Sequence, residues 1–171
     1  TRRDANKMVT IYRQKDVLWH DINLFGKIIT KLGARPWMAA DIEWWYPQDF
    51  AKNVSKDIVQ QNWYYGVSFD VKAFKAKKDI RAKYIECYNR LDAAGFDQTP
   101  CGTNWAQCGA RGDSKKGGDD IIGLLVPYCR KRISEGHLLG FLMAPWESLK
   151  SEEGLNVNLK AIDLFVEALK S

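Results

Sequence analysis

The chain has 171 residues, a net charge of +5, and 46% hydrophobic against 27% charged residues. That length fits a single unit spanning residues 1–171, and the balance excludes a disordered tail, a collagen-like repeat and a pure coiled coil. No run approaches the roughly 18 apolar residues of a membrane-spanning helix, and the opening residues carry no charged–apolar–small leader.

Elements in chain order begin with a helical pattern over residues 14–32. Val17, Leu18, Ile22, Phe25, Ile28, Ile29 and Leu32 recur at steps of three and four, and Gly33 stops the run. A short apolar segment, 36–40, reads as a buried strand ending at Asp41. Residues 47–54 read as a short helix and 57–63 as a second strand. A longer helix over 72–94 carries Phe74, Ile80, Tyr84, Tyr88 and Leu91 as its stripe, and Gly95 ends it. Residues 96–100 open a third strand, although Pro100 cannot donate to a ladder.

A polar loop over 106–118 precedes a helix capped by Asp119 or Asp120 and reaching Glu135. Residues 137–143 form an apolar fourth strand. Gly154 reads as a break, and Asn156 or Asn158 caps a last helix with Leu159, Ile162, Phe165, Val166 and Leu169 inward. Strands alternating with helices predict an α/β fold with a parallel sheet and right-handed crossovers.

Charge and thiols complete the inventory. Lys72, Lys75, Lys77, Lys78, Arg81 and Lys83 crowd one segment, and Lys115, Lys116, Arg130, Lys131 and Arg132 another. No stacking aromatics interleave with them, so they read as solvated helix faces and not as a nucleic-acid surface. Cys87 and Cys129 sit in apolar helical patterns and read as buried thiols. Cys101 and Cys108 flank a loop and can be bridged in an oxidising compartment. The cysteine spacing shows no metal site. His20 and His137 read as structural.

The aromatic content is the outlier, with seven Trp, seven Tyr and seven Phe making 12% of the chain. Each predicted strand runs into tryptophan: Asp41-Ile42-Glu43-Trp44-Trp45-Tyr46, Asn62-Trp63-Tyr64-Tyr65, Thr103-Asn104-Trp105, and Ala144-Pro145-Trp146-Glu147. Carboxyl ends of parallel strands are where ligands bind in such folds. Indole rings beside Asp41, Glu43, Asn62, Asn104 and Glu147 suit a sugar, whose C–H face stacks and whose hydroxyls need polar partners. No phosphate loop and no nucleophile elbow accompanies them.

The run Gly33-Ala34-Arg35-Pro36-Trp37-Met38-Ala39-Ala40-Asp41, with Tyr46-Pro47 after it, resembles the fifth barrel strand of β-N-acetylhexosaminidase-like glycoside hydrolases. Asp57-Ile58-Val59-Gln60-Gln61-Asn62-Trp63 is similar to their sixth strand, and Leu139-Gly140-Phe141-Leu142-Met143-Ala144-Pro145-Trp146-Glu147 to their eighth. The resemblance implies strands five to eight of a (β/α)8 TIM barrel and a secreted or periplasmic protein. It implies a catalytic Asp-Glu pair upstream of Thr1, so no catalytic residue is assigned within the chain. It matches Asp41, Trp63, Trp146 and Glu147, and less closely Trp105, to the sugar subsite. Trp44 and Asn104 join them by their strand-end positions. The family's seventh strand carries a Tyr-x-Asp that holds the acetamido group; here the region reads Thr99-Pro100-Cys101-Gly102-Thr103-Asn104-Trp105, which leaves N-acetyl recognition open.

Two functional expectations follow. One is part of a glycoside hydrolase acting on an oligosaccharide or glycoside, its open sheet edges covered by an amino-terminal barrel half or a second copy. The other is a self-contained, non-catalytic carbohydrate-binding α/β module. Neither calls for a cofactor, a metal, nucleic acid or a membrane.

Overall fold

The computed structural model of the chain describes residues 16–66, 68–73, 80–103, 118–144 and 150–170. Among these, the elements are helix α1 (Asp16–Lys31), strand β1 (Trp37–Ala39), α2 (Pro47–Asn53), β2 (Val59–Gln61), a 3₁₀ turn (Val71–Ala73), α3 (Ile80–Ala93), β3 (Cys101–Gly102), α4 (Gly118–Arg130), β4 (Leu142–Met143) and α5 (Glu152–Lys170). Gly33 at φ +80° and Gly95 at φ +77° terminate the chain path of α1 and α3, a conformation that costs glycine nothing.

The expected barrel half is not what forms. Among the described residues, five helices accompany two separate two-stranded parallel sheets, β1–β2 and β3–β4, with strands only two or three residues long. In the first, Trp37 is opposite Val59 and Ala39 opposite Gln61; in the second, Cys101 is opposite Leu142. Isolated parallel bridges, Gln60 to Gln98, Trp63 to Cys101 and Gln98 to Leu138, are the β contacts between and beside the sheets. The causes are local. Pro100 interrupts the third predicted strand, which leaves isolated bridges at Gln98 and a two-residue strand just beyond the proline, Cys101–Gly102. Gly140, at φ +151°, divides the predicted 137–143 run, so a strand forms only at Leu142–Met143, while Leu138 keeps an isolated bridge to Gln98.

Helix boundaries also shift. α4 stops at Arg130, three residues after its internal Pro127, instead of reaching Glu135. α5 begins at Glu152, where the Ser151 hydroxyl accepts the Gly154 N–H at 3.1 Å, so Ser151 and not Asn156 or Asn158 is the cap. Gly154 lies buried inside the helix.

Three apolar clusters hold these elements. The first gathers Trp19, Trp44, Phe50, Ile58, Cys87, Leu91 and Phe96, joining α1, α2 and α3 around β1 and β2. The second packs Tyr64, Ile85 and Tyr88 against Leu125 and Cys129 of α4. The third is Val126 with Ala161 and Ala168 of α5. The α5 stripe predicted as inward is a correction. Gly154, Asn158, Ala161 and Ala168 are its buried residues and Phe165 of the predicted stripe packs against the third cluster, whereas Leu155, Leu159, Ile162, Val166 and Leu169 are 37–49% exposed. Small residues let the two helix axes approach closely, which turns the bulkier seam outward. α1 departs in part: Leu18 and Ile22 of its stripe pack against the first cluster, whereas Val17, Phe25, Ile28 and Leu32 are exposed.

Cys87, Cys101 and Cys129 are buried free thiols. Cys108, the proposed bridging partner of Cys101, lies outside the described residues, as does most of the loop predicted over 106–118.

Candidate functional site

The carboxyl ends of β1 and β2 meet in an aromatic cluster. Past β1 the chain turns tightly, with the Glu43 N–H bonded to the Ala40 carbonyl and the Tyr46 N–H to that of Ile42. This turn brings Asp41, Glu43, Trp44 and Trp45 back over the strand end. Past β2 the chain continues through Asn62 to Gly66. Trp44 and Trp63 thereby meet edge to face, their ring centroids 4.7 Å apart and their planes at 73°. Tyr84, from α3, packs on both, at 3.9 Å from Trp44 and 5.6 Å from Trp63. Tyr65 lies 5.0 Å from Trp63 on another side.

The polar groups fix these rings. The Trp63 indole N–H donates to Asp41 Oδ1 at 2.6 Å. The Trp44 N–H donates to Asn62 Oδ1 at 2.9 Å, and the Asn62 amide donates to the Tyr84 carbonyl at 2.8 Å. Asn62 is fully buried, so its side chain ties α3 to the two strand ends and does not reach toward a ligand. Trp44 is buried too, and supports the cluster from beneath. Trp63, Tyr84 and Asp41 are the members that reach solvent in part.

Glu43 is held differently. It is buried, and Arg90 of α3 clamps it with Nε at 2.5 Å from Oε1 and Nη2 at 2.8 Å from Oε2. Arg90 also donates to the Lys83 carbonyl at 3.0 Å. Burial alone lowers an arginine pKa, but the bonds and charge of Glu43 outweigh it and raise that of Arg90. The adjacent Cys87 thiol is pushed well above its ordinary range, first by burial and then by the Glu43 charge. It is therefore a protonated, inert group and not a nucleophile.

Of the residues singled out in the sequence, Asp41, Trp44 and Trp63 are brought together. Asn104, Trp105, Trp146 and Glu147 lie outside the described residues. Tyr84 and Arg90 were not anticipated. Tyr84 reads in sequence as one member of a helix stripe, and the only signal for Arg90 is a buried carboxylate that needs a cation. Among the described residues no group of three or more His, Cys, Asp or Glu is placed to hold a metal, and no helix is long and apolar enough to cross a membrane.

No family model, curated protein or solved structure matches this chain.

Proposed function

We propose that the protein binds carbohydrate at the carboxyl ends of β1 and β2, with the Trp63 ring as the stacking surface and Asp41 as a hydroxyl acceptor. The observation that carries this reading is the Trp63–Asp41 bond of 2.6 Å. It holds a half-buried indole in one orientation beside a carboxylate, so the apolar face and the polar edge of a pyranose both find partners. Tyr84, Trp44 and Tyr65 surround that indole and restrain it, which lowers the ordering cost of binding.

The hydrolase reading adds a pair of carboxylates flanking a glycosidic bond, about 5–9.5 Å apart. Of the two carboxylates nearest the cluster, Glu43 is committed to Arg90 and Asp41 to Trp63. This favours binding over cleavage by the residues of this chain.

The test is calorimetric titration of the protein with chito-, cello- and xylo-oligosaccharides. At least one series is expected to bind, and Trp63→Ala to weaken that binding by about 1–3 kcal/mol, the value of an aromatic contact plus its area. Unchanged affinity in a folded Trp63→Ala protein would remove this site from consideration.

A further inference from the structure

At the opposite, amino-terminal ends of β1 and β2 the structure holds a second concave site. A cavity of about 660 Å³ opens between α1 and the segment joining α2 to β2. Lys27 and Lys31 of α1 line one wall, and Lys52 and Lys56 the other. Its floor is apolar, made by Pro36, Val54 and Ile58, and Gly26 lets α1 pack closely on Ile58, where an added Cβ would lie 3.0 Å from Cδ1. We propose that this cleft binds a phosphate monoester on a small organic scaffold.

The charge balance supports that ligand. Lysines near helix ends commonly do no more than offset the helix dipole, and Lys31 and Lys52 stand in the last turns of α1 and α2. Each helix end carries only about half a negative charge. Asp57 is the one acidic residue of the lining. Together the two helix ends and Asp57 offset about two of the four ammonium charges, leaving a surplus of about two. The ion pairs formed among the described residues do not engage Lys27, Lys31 or Lys52.

A neighbouring cavity of about 600 Å³ shares Thr30, Pro36, Lys56 and Asp57 with the first, so the two form one groove. The arginine there, Arg35, is already paired with Asp97. The guanidinium fork that suits carboxylates is thus occupied, and what remains is a set of point-charge ammonium groups, which suit a compact dianion. Lys56 is pre-positioned. It donates to the Ala51 carbonyl at 2.9 Å and its Nζ sits 3.4 Å from the Phe96 ring centroid. Partial desolvation there lowers its pKa, so a nearby anion stabilises its charged form. A phosphate monoester carries about −1.5 to −2 charges at neutral pH, and the cleft, at about 660 Å³, has room beside the lysines for an organic body attached to it.

The probes are phenyl phosphate, inorganic phosphate and phenyl sulfate, titrated calorimetrically at low ionic strength. Phenyl phosphate is expected to bind most tightly. Equal affinity for inorganic phosphate would keep the dianion site and assign it to the free ion. Phenyl sulfate binding as tightly as phenyl phosphate would overturn the proposal, because a monoanion does not need the surplus charge, and so would no binding of any probe. The double variant Lys27→Gln/Lys52→Gln should weaken phenyl phosphate at least about tenfold, the loss of one or more charge-assisted bonds. Lys131→Gln, in the turn after α4, should leave it unchanged. An equal loss in both would show diffuse attraction by net charge and sink the site. Thermal melts confirm folding, and the single variant Lys31→Gln serves in place of the double one if that does not fold.

Discussion

Arg90 and Glu43 form the most buried ion pair among the described residues, with the carboxylate 3% and the guanidinium 31% exposed. Removing one partner of such a pair leaves a charge without compensation in a low dielectric, whereas removing both with apolar replacements is far milder. Arg90→Ala is expected to destabilise the fold by about 3 kcal/mol, the lower end of the cost for buried pairs because Arg90 reaches solvent. The double variant Arg90→Met/Glu43→Leu should recover most of that. Urea unfolding of the variants measures both, and a double variant as unstable as the single one would show that the pair does more than neutralise a buried charge. In sequence, Glu43 was legible only as a polar residue near a strand end. Nothing local distinguishes it from Asp41, because the discriminating partner stands 47 positions away on α3. Asn62 shows the same limit, since its fully buried bonds to Trp44 and Tyr84 make it an internal tie and not a ligand group.

Between elements, Asp92 at the end of α3 holds the turn after α4. It accepts the His137 ring N–H at 2.8 Å, and the Ser134 N–H and hydroxyl at 3.0 Å each. Burial alone would raise its pKa, but these bonds and the His137 charge win and lower it below 3.8. A depressed carboxylate contributes stability that is present above its unfolded value. That contribution is lost as pH falls from about 4 through the lower folded value. Asp92→Asn should therefore flatten the acid side of a plot of unfolding free energy against pH, below about pH 4. An unaltered acid slope in that variant would mean that the turn is held by other contacts.

Helix α5 gives a second test at this scale. Ala161 is fully buried in the cluster with Val126, whereas its neighbour Ile162 faces solvent. Ala161→Leu is expected to cost about 1–3 kcal/mol by overpacking, and Ile162→Ala to change stability by only about 0.5 kcal/mol. Periodicity located this helix well and placed Phe165 inward, but set the rest of the stripe on the wrong seam. Leu159, Ile162, Val166 and Leu169 repeat at the same three-and-four spacing as the small residues beside them, and side-chain size, not hydrophobicity, decides which seam a closely packed neighbour takes. A reversal of the two effects in thermal melts would restore the bulkier seam as the packed one.

Across the whole molecule, the helices were legible because amphipathic stripes and terminal glycines are encoded within a few residues. The sheet was not. Apolar runs such as 137–143 are consistent with strands, but pairing depends on long-range partners and on single breaks such as Pro100 and Gly140. The aromatic cluster was half visible: its tryptophans follow the strands in sequence, while Tyr84 comes from a helix two elements on.

The meeting of Trp44 and Trp63 also has an optical consequence. Two indoles with centroids 4.7 Å apart and planes at 73° have transition dipoles that couple, so they absorb as a pair and not singly. The far-ultraviolet circular dichroism should carry a bisignate band superimposed on the helical signal, absent from Trp44→Phe and from Trp63→Phe alike. One ring follows β1 and the other follows β2, so the band reports the docking of those two strand ends. On heating, its disappearance ahead of the helical signal would register separation of the strand ends while the helices persist, and its loss in step with that signal would register a single cooperative transition.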